Sequence, residues 1–410
     1  MPETNKDIRL DLFITANSPG EISGWAAPVV RELRARKERF RITVVVPPCQ
    51  YASGAEFELG LEIGADRCVR VSGLKKLLSG PGEKNIADRK RLVLHLGGDV
   101  VFSIYMSKKL RCPLWVYSSR PRWKFFVDRY FVQDERGREH FEKARVSPEK
   151  YSVIGNIALD SVRLSETENE TREFLGISPE TPVLTCLTGS RPIEYTESAR
   201  LFVEASRMVT DRFPDMKVLF PLAPTVKDDL LRDALSAAGI GWTGESRVRE
   251  IGLGNGKTAV VLRDRTPEAL NCSRLALAVP GTNNLQAAAL YIPFIMVLPL
   301  HRSEEYPLDG LPGLLPLWLP GFRRLKKAYI ERLNERTGCV SLPNRMAGRM
   351  IAPEIRGIFD PPVVARMAIG LLESPERLKE ISRAFWDLTH ERGASARLAG
   401  EIAGFADIGR

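Results

Sequence analysis

Three short turns, each of which follows a predicted strand and precedes a predicted helix, carry residue types that bind phosphate groups. They lie at residues 17–24, 188–191 and 279–286. Small residues let the backbone approach a ligand, and a helix start offers free N–H groups and the positive end of the helix dipole. Arg191 could in addition bind phosphate oxygens through two N–H groups at once. One such turn is often only a connection, but three in one chain favour a ligand of the nucleotide type.

The candidate residues of these turns are mostly small or polar. They are Gly20, Glu21, Ser23 and Gly24 in the first turn, Ser190 and Arg191 in the second, and Gly281, Thr282, Asn283 and Gln286 in the third. The third turn lacks the lysine of a P-loop, which argues against ATP hydrolysis by a Walker motif. The alternative for each turn is an ordinary connection, with a surface arginine in the second.

A carboxylate lies in a fourth turn of this kind. The apolar run LVLHLG ends in Gly97-Gly98-Asp99, ahead of a predicted helix. Asp99 could therefore serve as a general base toward a sugar hydroxyl. The alternative is an aspartate that only caps the following helix.

Residue types that bind metals are scattered along the chain. The six cysteines contain no CxxC pair, and the four histidines contain no HxxxH pair. No Asp-x-Asp pair follows a predicted strand either. We therefore expect no metal site, and the cysteine usage fits a reducing compartment.

The elements that must position these turns are short apolar strands alternating with amphipathic helices. Continuous apolar strands separated by helices predict parallel, doubly wound sheets of the α/β class, in which ligands bind beyond the carboxyl ends of the strands. The alternation stops near residue 165 and then restarts. We predict an N-terminal domain over residues 1–165, a second α/β domain over residues 166–374, and C-terminal helices over residues 375–410.

Length and composition limit the class of protein. With 410 residues, 44% hydrophobic and 27% charged, the chain is globular and long enough for two or three domains. A net charge of +9 favours an anionic partner, although no recognisable RNA- or DNA-binding module accompanies it. The charged N-terminus is unlike a signal peptide, and no apolar stretch is long enough to span a bilayer, so we expect a cytoplasmic protein. Because no such module is recognised, we do not expect nucleic acid as a partner.

Two segments indicate contact with lipid. Residues 311–322 are apolar, rich in Pro and Gly, and followed by the basic residues Arg323, Arg324, Lys326 and Lys327. Such a segment could enter a membrane interface while the cations meet anionic headgroups. The alternative is a buried loop with a solvated basic helix behind it. The basic residues 120–124, interrupted by Trp123, raise the same question more weakly.

Five segments, in the same order along the chain, resemble motifs of the lipid-A-disaccharide synthase family, which are glycosyltransferases of GT-B architecture. They are residues 20–24 (GE-x-SG), 154–155 (IGH), 188–191 (PGSR), 281–286 (GT-x-x-LE) and 341–349 with Pro353 and Glu354 (SLPN-x-x-AGR and PEL). The resemblance covers most of the chain, and the SLPN segment is its most specific part.

The sequence departs from the family pattern within these segments. Aligned through Phe102, the family segment IDxPDFN places Gly98 at the position of the aspartate usually assigned as catalytic base, and Asp99 follows one residue later. Four further positions differ from the family: Trp25 for Asp, Ser103 for Asn, Asn156 for His and Gln286 for Glu. These departures favour a change of acceptor.

The resemblance implies a GT-B-type fold, with two Rossmann-like domains facing across a cleft and the C-terminal helices packing back toward the first domain. The second domain is expected to bind the UDP-sugar. Arg191 and the amides around Thr282 would lie at the diphosphate, Asn344 and Arg349 near the cleft, and Glu354 at the ribose hydroxyls. The first domain would hold the acceptor against residues 20–24 and the Asp99 turn.

The implied reaction is an inverting transfer of an acylated glucosamine-type sugar from UDP to a lipid-linked sugar acceptor, with Asp99 as base. Neither a cofactor nor a metal is implied. The resemblance also implies a peripheral protein at the inner face of the cytoplasmic membrane, on an anionic lipid surface, and family members can pair as homodimers.

Two alternatives stay open: a related glycosyltransferase with a different acceptor, and a catalytically inactive protein that binds a nucleotide sugar. UDP-sugar epimerases share the architecture, but the SLPN segment argues against that assignment.

Overall fold

The computed structural model describes residues 8–36, 40–47, 56–73, 90–189, 192–222, 242–243, 248–303 and 321–407, together with residues 233 and 236. The chain forms two compact units. The first consists of Met1–Ser161 with Glu391–Arg410, and the second of Val162–His390. The chain therefore enters the second unit once and returns to the first at its C-terminus.

The first unit is built on a parallel sheet whose strands are mostly buried runs of aliphatic residues, as parallel strands covered on both faces require. Within the described residues its strand order is β3-β2-β1-β4-β5-β6-β7. The strands are β1 (Leu10–Thr15), β2 (Phe40–Val46), β3 (Arg67–Arg70), β4 (Lys90–His95), β5 (Leu114–Tyr117), β6 (Arg129–Val132) and β7 (Tyr151–Val153).

Helices cover both faces of this sheet. They are α1 (Pro19–Glu21), α2 (Ala27–Arg34), α3 (Glu56–Glu62), α4 (Val100–Leu110) and α5 (Glu135–Lys143), with a π-helical turn at Ile22–Ala26 between α1 and α2. One apolar cluster contains Val29 and Leu33 of α2, and a separate cluster contains Met106 and Leu110 of α4. Because β1 and β4 are neighbours in the middle of the sheet, the turns that follow them lie at one edge.

The second unit contains a mostly parallel sheet of strand order β10-β11-β12-β9-β8-β13-β14-β15 within the described residues. Within this sheet, β10 pairs antiparallel with β11, and β11 pairs antiparallel with β12. The strands are β8 (Val183–Leu187), β9 (Lys217–Leu222), β10 (Trp242–Thr243), β11 (Val248–Gly252), β12 (Thr258–Arg263), β13 (Leu275–Ala278), β14 (Phe294–Pro299) and β15 (Glu354–Gly357). The predicted α/β class is confirmed in both units.

The second unit's helices pack around this sheet. They are α6 (Glu168–Leu175), α7 (Pro192–Arg212), α8 (Thr266–Asn271), α9 (Thr282–Ala289), α10 (Phe322–Arg336), α11 (Leu342–Ala347), α12 (Pro361–Leu372) and α13 (Pro375–Thr389). Among the described residues, no helix is both long and apolar enough to cross a bilayer.

The two C-terminal helices belong to different units. Helix α13 packs in the second unit, where Phe385 stacks on Phe294 with ring centroids 5.4 Å apart. The last helix, α14 (Ala394–Asp407), packs on the first unit, and the Asp160 carboxylate accepts hydrogen bonds from the N–H groups of Gly393 and Ser395. The structure thus divides the chain after Ser161 and again after His390, whereas the sequence grouped residues 375–410 together.

Candidate functional site

The turns after β1 and β4 meet at one edge of the first sheet. The two strands are parallel neighbours, with Thr15 opposite His95 at their ends. The N–H groups of Leu96 and Gly97 donate to the carbonyl of Thr15 at 3.1 and 3.0 Å. The structure therefore brings the predicted residues of the first turn together with the Asp99 turn.

Glu21 packs directly on Gly97. A Cβ atom added at Gly97 would lie 2.1 Å from Oε2 of Glu21, so a side chain there would displace this carboxylate. Oε2 accepts a hydrogen bond from the N–H of Asn17 at 2.9 Å. Burial raises the pKa of Glu21, while hydrogen bonds from the backbone of Asn17, Gly98 and Ser18 oppose the increase. A carboxyl group that resists ionisation therefore lies between the two turns.

The first turn continues into the π-helical turn at Ile22–Ala26, a geometry that is frequent at functional sites. Ser18 caps α1 by accepting the N–H of Glu21, and the exposed Ser23 hydroxyl donates to the carbonyl of Pro19 at 2.7 Å. Gly24 is buried, yet a Cβ there would meet nothing within 4 Å. The segment GEISG thus shapes the sheet edge mainly through its backbone.

A buried triangle of polar side chains lies under these turns. Nδ1 of His95 is 3.0 Å from Oγ1 of Thr15 and 2.9 Å from Oγ of Ser103, and the two hydroxyl oxygens are 2.9 Å apart. Burial lowers the pKa of His95 to about 4, although Asp99 acts in the opposite direction. The imidazole is therefore neutral at physiological pH, and it orders the strand ends.

From the sequence, His95 was one of four scattered histidines, and Ser103 was a departure from a family motif. One sequence feature could have predicted this polar cluster. Two apolar strands each end in a polar residue, Thr15 in β1 and His95 in β4, and these strands are neighbours. Among the described residues, no group of three His, Cys, Asp or Glu side chains is placed to hold a metal.

Asp99, the predicted base, is the N-cap residue of α4. Its Oδ1 atom accepts the N–H of Val101 at 3.0 Å, and the residue is exposed. The capping geometry is therefore present in the structure, and because Asp99 is exposed, a substrate can reach this residue. Its catalytic role stays a prediction.

In the second unit, the turn after β13 leads to α9. Gly281 and Thr282 are exposed at the start of this helix. The Asn284 side chain ties the turn together by donating to the carbonyl of Val279 at 3.0 Å. In the part of the chain that the structure describes, Oδ1 of Asn284 and Oε1 of Gln286 are buried and accept no hydrogen bond.

These two oxygen atoms point to a ligand. Leaving a buried acceptor unpaired costs on the order of 1–3 kcal/mol, so native proteins rarely do so without reason. Asn284 and Gln286 lie on the helix that begins at the exposed Gly281 and Thr282. A ligand with hydroxyl or N–H donors and a phosphate would satisfy the side chains and the helix N-terminus together.

The SLPN segment forms α11, which packs against α9. Asn344 is fully buried and uses its whole amide. Its Oδ1 atom accepts the N–H groups of Ile351 and Ala352, and its Nδ2 atom donates to the carbonyl of Ala352 and to Glu354. Asn344 therefore holds α11 to the chain that leads into β15.

The Glu354 carboxylate completes this network. It accepts the N–H groups of Val340 and Ser341 at 3.0–3.1 Å, and its side chain has no exposed surface. The geometry gives Glu354 a structural role at the start of α11, and its contact with a ribose stays a prediction. The Ser341 hydroxyl is buried and has no partner among the described residues.

The remaining predicted residues are placed as follows. Asn283 is half-buried on α9, and Arg349 is exposed after α11. Ser190, Arg191 and most of the apolar segment at residues 311–322 lie outside the described residues.

Comparison with known proteins agrees with the sequence resemblance. A model of the lipid-A-disaccharide synthetase family matches residues 138–301. The lipid-A-disaccharide synthase of Myxococcus xanthus is 26% identical over 390 residues, which cover 89% of this chain and 93% of the relative. The enzyme of the same name from Syntrophus aciditrophicus is also 26% identical, over 72% of this chain and 69% of the relative. The chain is thus similar to lipid-A-disaccharide synthases, which are glycosyltransferases.

Solved structures share the fold. A UDP-N-acetylglucosamine 2-epimerase of Neisseria meningitidis, solved with UDP-N-acetylglucosamine bound, superimposes with a TM-score of 0.57 over 96% of this chain and all of that one. A putative enzyme of the same activity from Listeria monocytogenes gives a TM-score of 0.57 over 96% of both chains. Both are 13% identical to this sequence, so the likeness establishes the GT-B-type fold and nothing further.

Gly98, the position at which the sequence resemblance places an aspartate, has a constrained backbone. Gly98 has φ +84°, a conformation that L side chains rarely adopt. A Cβ there would also lie 3.2 Å from side-chain atoms of both Asn17 and Pro47. An aspartate at the family position would therefore be strained, and Asp99 is the carboxylate that this turn can carry.

Proposed function

We propose that this protein is an inverting glycosyltransferase that moves a glucosamine-type sugar from UDP to a hydroxyl of a lipid-linked sugar acceptor. The observation that carries the proposal is the pair of buried, unpaired acceptors of Asn284 and Gln286 on a helix with an exposed N-terminus. A nucleotide sugar offers what this place lacks, because it combines hydroxyl donors with an anionic diphosphate.

The second unit would bind the donor. Backbone N–H groups at Gly281, Thr282 and Asn283, together with the guanidinium of Arg191, would bind the diphosphate and stabilise the negative charge that grows on UDP as it leaves. Gln286 would accept a hydrogen bond from a hydroxyl of the donor. The fold relative that was solved with UDP-N-acetylglucosamine supports this assignment of the ligand class.

The first unit would bind the acceptor and supply the base. The acceptor oxygen attacks the anomeric carbon while its proton passes to Asp99, and the bond between that carbon and the UDP oxygen breaks with its electron pair on UDP. We assign the base to Asp99 because it is exposed. Glu21 instead holds the turn against Gly97, and the neutral His95 orders the strand ends.

The experiment that tests the proposal incubates the protein with UDP-diacylglucosamine and diacylglucosamine 1-phosphate. UDP release is followed enzymatically, and the lipid product by mass spectrometry. We expect stoichiometric UDP and a disaccharide lipid, both lost in Asp99→Asn. If the UDP-sugar binds but no acceptor leads to release of UDP, the protein is a nucleotide-sugar-binding protein and the proposal is wrong.

A transferase with a different lipid or polyol acceptor is the second candidate. The Gly98 backbone favours it, because an aspartate at this position of the turn that would face the acceptor would be strained. In that case UDP release would require another acceptor, while the dependence on Asp99 would persist.

A lipid-linked acceptor would place the reaction at a membrane. We therefore also propose that the protein works at the inner face of the cytoplasmic membrane as a peripheral protein. The family implies this location, and the net charge of +9 supports association with anionic lipid.

A further inference from the structure

The first unit exposes a cluster of large apolar side chains outside the site described above. In the loop between β5 and β6, Phe125 is 88% exposed, Trp123 48% and Phe126 42%. Val101 and Tyr105 are exposed on the neighbouring helix α4. We call these five residues the aromatic patch. Exposed apolar side chains clustered in this way usually mark an interaction surface.

Cations surround the aromatic patch. Three lysine ammonium groups lie over its rings, at 5.7–5.9 Å from the ring centroids: Lys124 over Phe125, Lys108 over Phe126 and Lys109 over Tyr105. Arg120 and Arg122 are exposed in the same loop. The described ion pairs of the first unit involve none of these five cations. Their charge is therefore available to an anionic partner.

Hydrogen bonds hold the loop that carries the three rings in place. The Tyr130 hydroxyl donates to the carbonyl of Arg122 at 2.5 Å, and the N–H of Phe126 donates to the carbonyl of Trp123 at 2.8 Å. The Lys124 ammonium group donates to the carbonyl of Ala144 at 3.1 Å. Trp123 has φ +59°, which is unfavourable for a bulky residue unless the surroundings impose it. The exposed rings are thus presented by an ordered turn.

We propose that the aromatic patch docks the first unit on an anionic lipid bilayer. Aromatic rings prefer the boundary between headgroups and acyl chains, and cations within reach of the surface contribute about 1 kcal/mol each when they meet anionic headgroups. The choice of a lipid surface over other anionic partners rests on the proposed function. It also has a geometric basis, because α4 begins next to Asp99 and presents Val101 and Tyr105 on the same exposed face.

The aromatic patch would position the first unit for the transfer reaction. Docking through α4 and the Trp123 turn would hold the acceptor side of the first unit at the bilayer, where a lipid-linked acceptor lies. The patch overlaps residues 120–124, for which the sequence indicated lipid contact more weakly than for the apolar segment at residues 311–322.

The test uses the full-length protein and cosedimentation with vesicles of phosphatidylethanolamine and phosphatidylglycerol, with phosphatidylcholine vesicles as the neutral reference. We expect a double variant, Phe125→Ser with Phe126→Ser, to bind the anionic vesicles about tenfold more weakly, because the apolar area available for burial is lost. Lys108→Glu with Lys109→Glu, two exposed cations of α4, should abolish the preference for anionic vesicles. Trp386→Ser, which removes an exposed aromatic of α13, serves as the matched control and should bind like the wild type.

Fluorescence quenching is a second measurement, which keeps the proposal testable if the serine variants do not fold. Vesicles with brominated acyl chains should quench tryptophan emission of the wild type, and the conservative Trp123→Phe variant should lose that quenching. Unchanged vesicle binding by the Phe125/Phe126 variant, or unchanged quenching in Trp123→Phe, would overturn the proposal. Binding of single-stranded oligonucleotides but not vesicles, dependent on the same rings, would overturn it in favour of nucleic acid. Vesicle binding requires no catalysis, so its failure is distinguishable from failure of the proposed transfer reaction.

Discussion

The Glu21 carboxylate lies on Gly97 so closely that a Cβ at position 97 would fall 2.1 Å from Oε2. This contact fastens the turn after β1 to the turn after β4, the two loops between which the acceptor is proposed to bind. Oε2 also accepts the N–H of Asn17, so displacing the carboxylate would break this hydrogen bond.

Gly97→Ala should therefore destabilise the first unit by about 1–3 kcal/mol, the usual cost of forcing an atom into a packed site. Thermal unfolding followed by circular dichroism measures the effect. The control is Gly404→Ala in α14, where a Cβ meets nothing within 4 Å and helix propensity should leave stability equal or slightly higher. Equal unfolding temperatures for wild type and Gly97→Ala would contradict the contact.

Asp99 has two roles that substitution separates. Asp99→Asn keeps a capping acceptor for the N–H of Val101 but removes the base, so we expect kcat to fall by about 10²–10⁴ at unchanged stability. Asp99→Ala removes the cap as well and should lose a further 1 kcal/mol or so of stability. Wild-type kcat in Asp99→Asn would show that another group accepts the proton.

His95 makes stability depend on pH. Its pKa in the folded protein is about 4, below the ordinary value of 6.5, so between these values the unfolded chain binds the proton more readily. The resulting stabilisation is complete above about pH 6.5 and is lost as the pH falls toward 4. Urea unfolding across this range should show a steeper loss of stability in wild type than in His95→Asn. Parallel curves for the two proteins would argue against a neutral buried imidazole.

We expect the hydrogen-bond network of Asn344 and Glu354 to stabilise the fold rather than to contact a ligand. Asn344→Ala leaves the N–H groups of Ile351 and Ala352 without their partner, which should cost about 2–4 kcal/mol. Arg345→Ala, an exposed position on the same helix α11, is the matched control and should unfold like wild type. A loss of less than about 1 kcal/mol in Asn344→Ala would contradict this structural role and would make Asn344 a candidate ligand contact again.

The architecture and the grouping of turns could be predicted from the sequence, because continuous apolar strands and strand-turn-helix junctions have simple patterns. The pairing of β1 with β4, which the sequence did not specify, brings Glu21 near Gly97. The packing of the Glu21 carboxylate on Gly97 could not be predicted, since it depends on side-chain geometry across two separate loops. The same holds for Asn344, whose internal hydrogen bonds are formed only once α11 meets the chain that leads into β15.

The division of the C-terminal helices also could not be predicted. Helices α13 and α14 are both amphipathic, and an apolar stripe does not specify which core will cover it. Phe385 stacks on Phe294 in the second unit, whereas Leu398 and Ile402 join the apolar cluster of the first. Only the three-dimensional positions of the two cores decide between them.

The central claim is that the second unit binds a UDP-sugar at the start of α9. Calorimetric titration of UDP into the wild type, Gln286→Leu and the control Arg345→Ala tests it most directly. We expect saturable binding to wild type and control, and about tenfold weaker binding to Gln286→Leu. The apolar replacement of an unpaired acceptor should leave the free protein at least as stable. Absence of UDP binding to the wild type, or equal affinity in all three proteins, would contradict it.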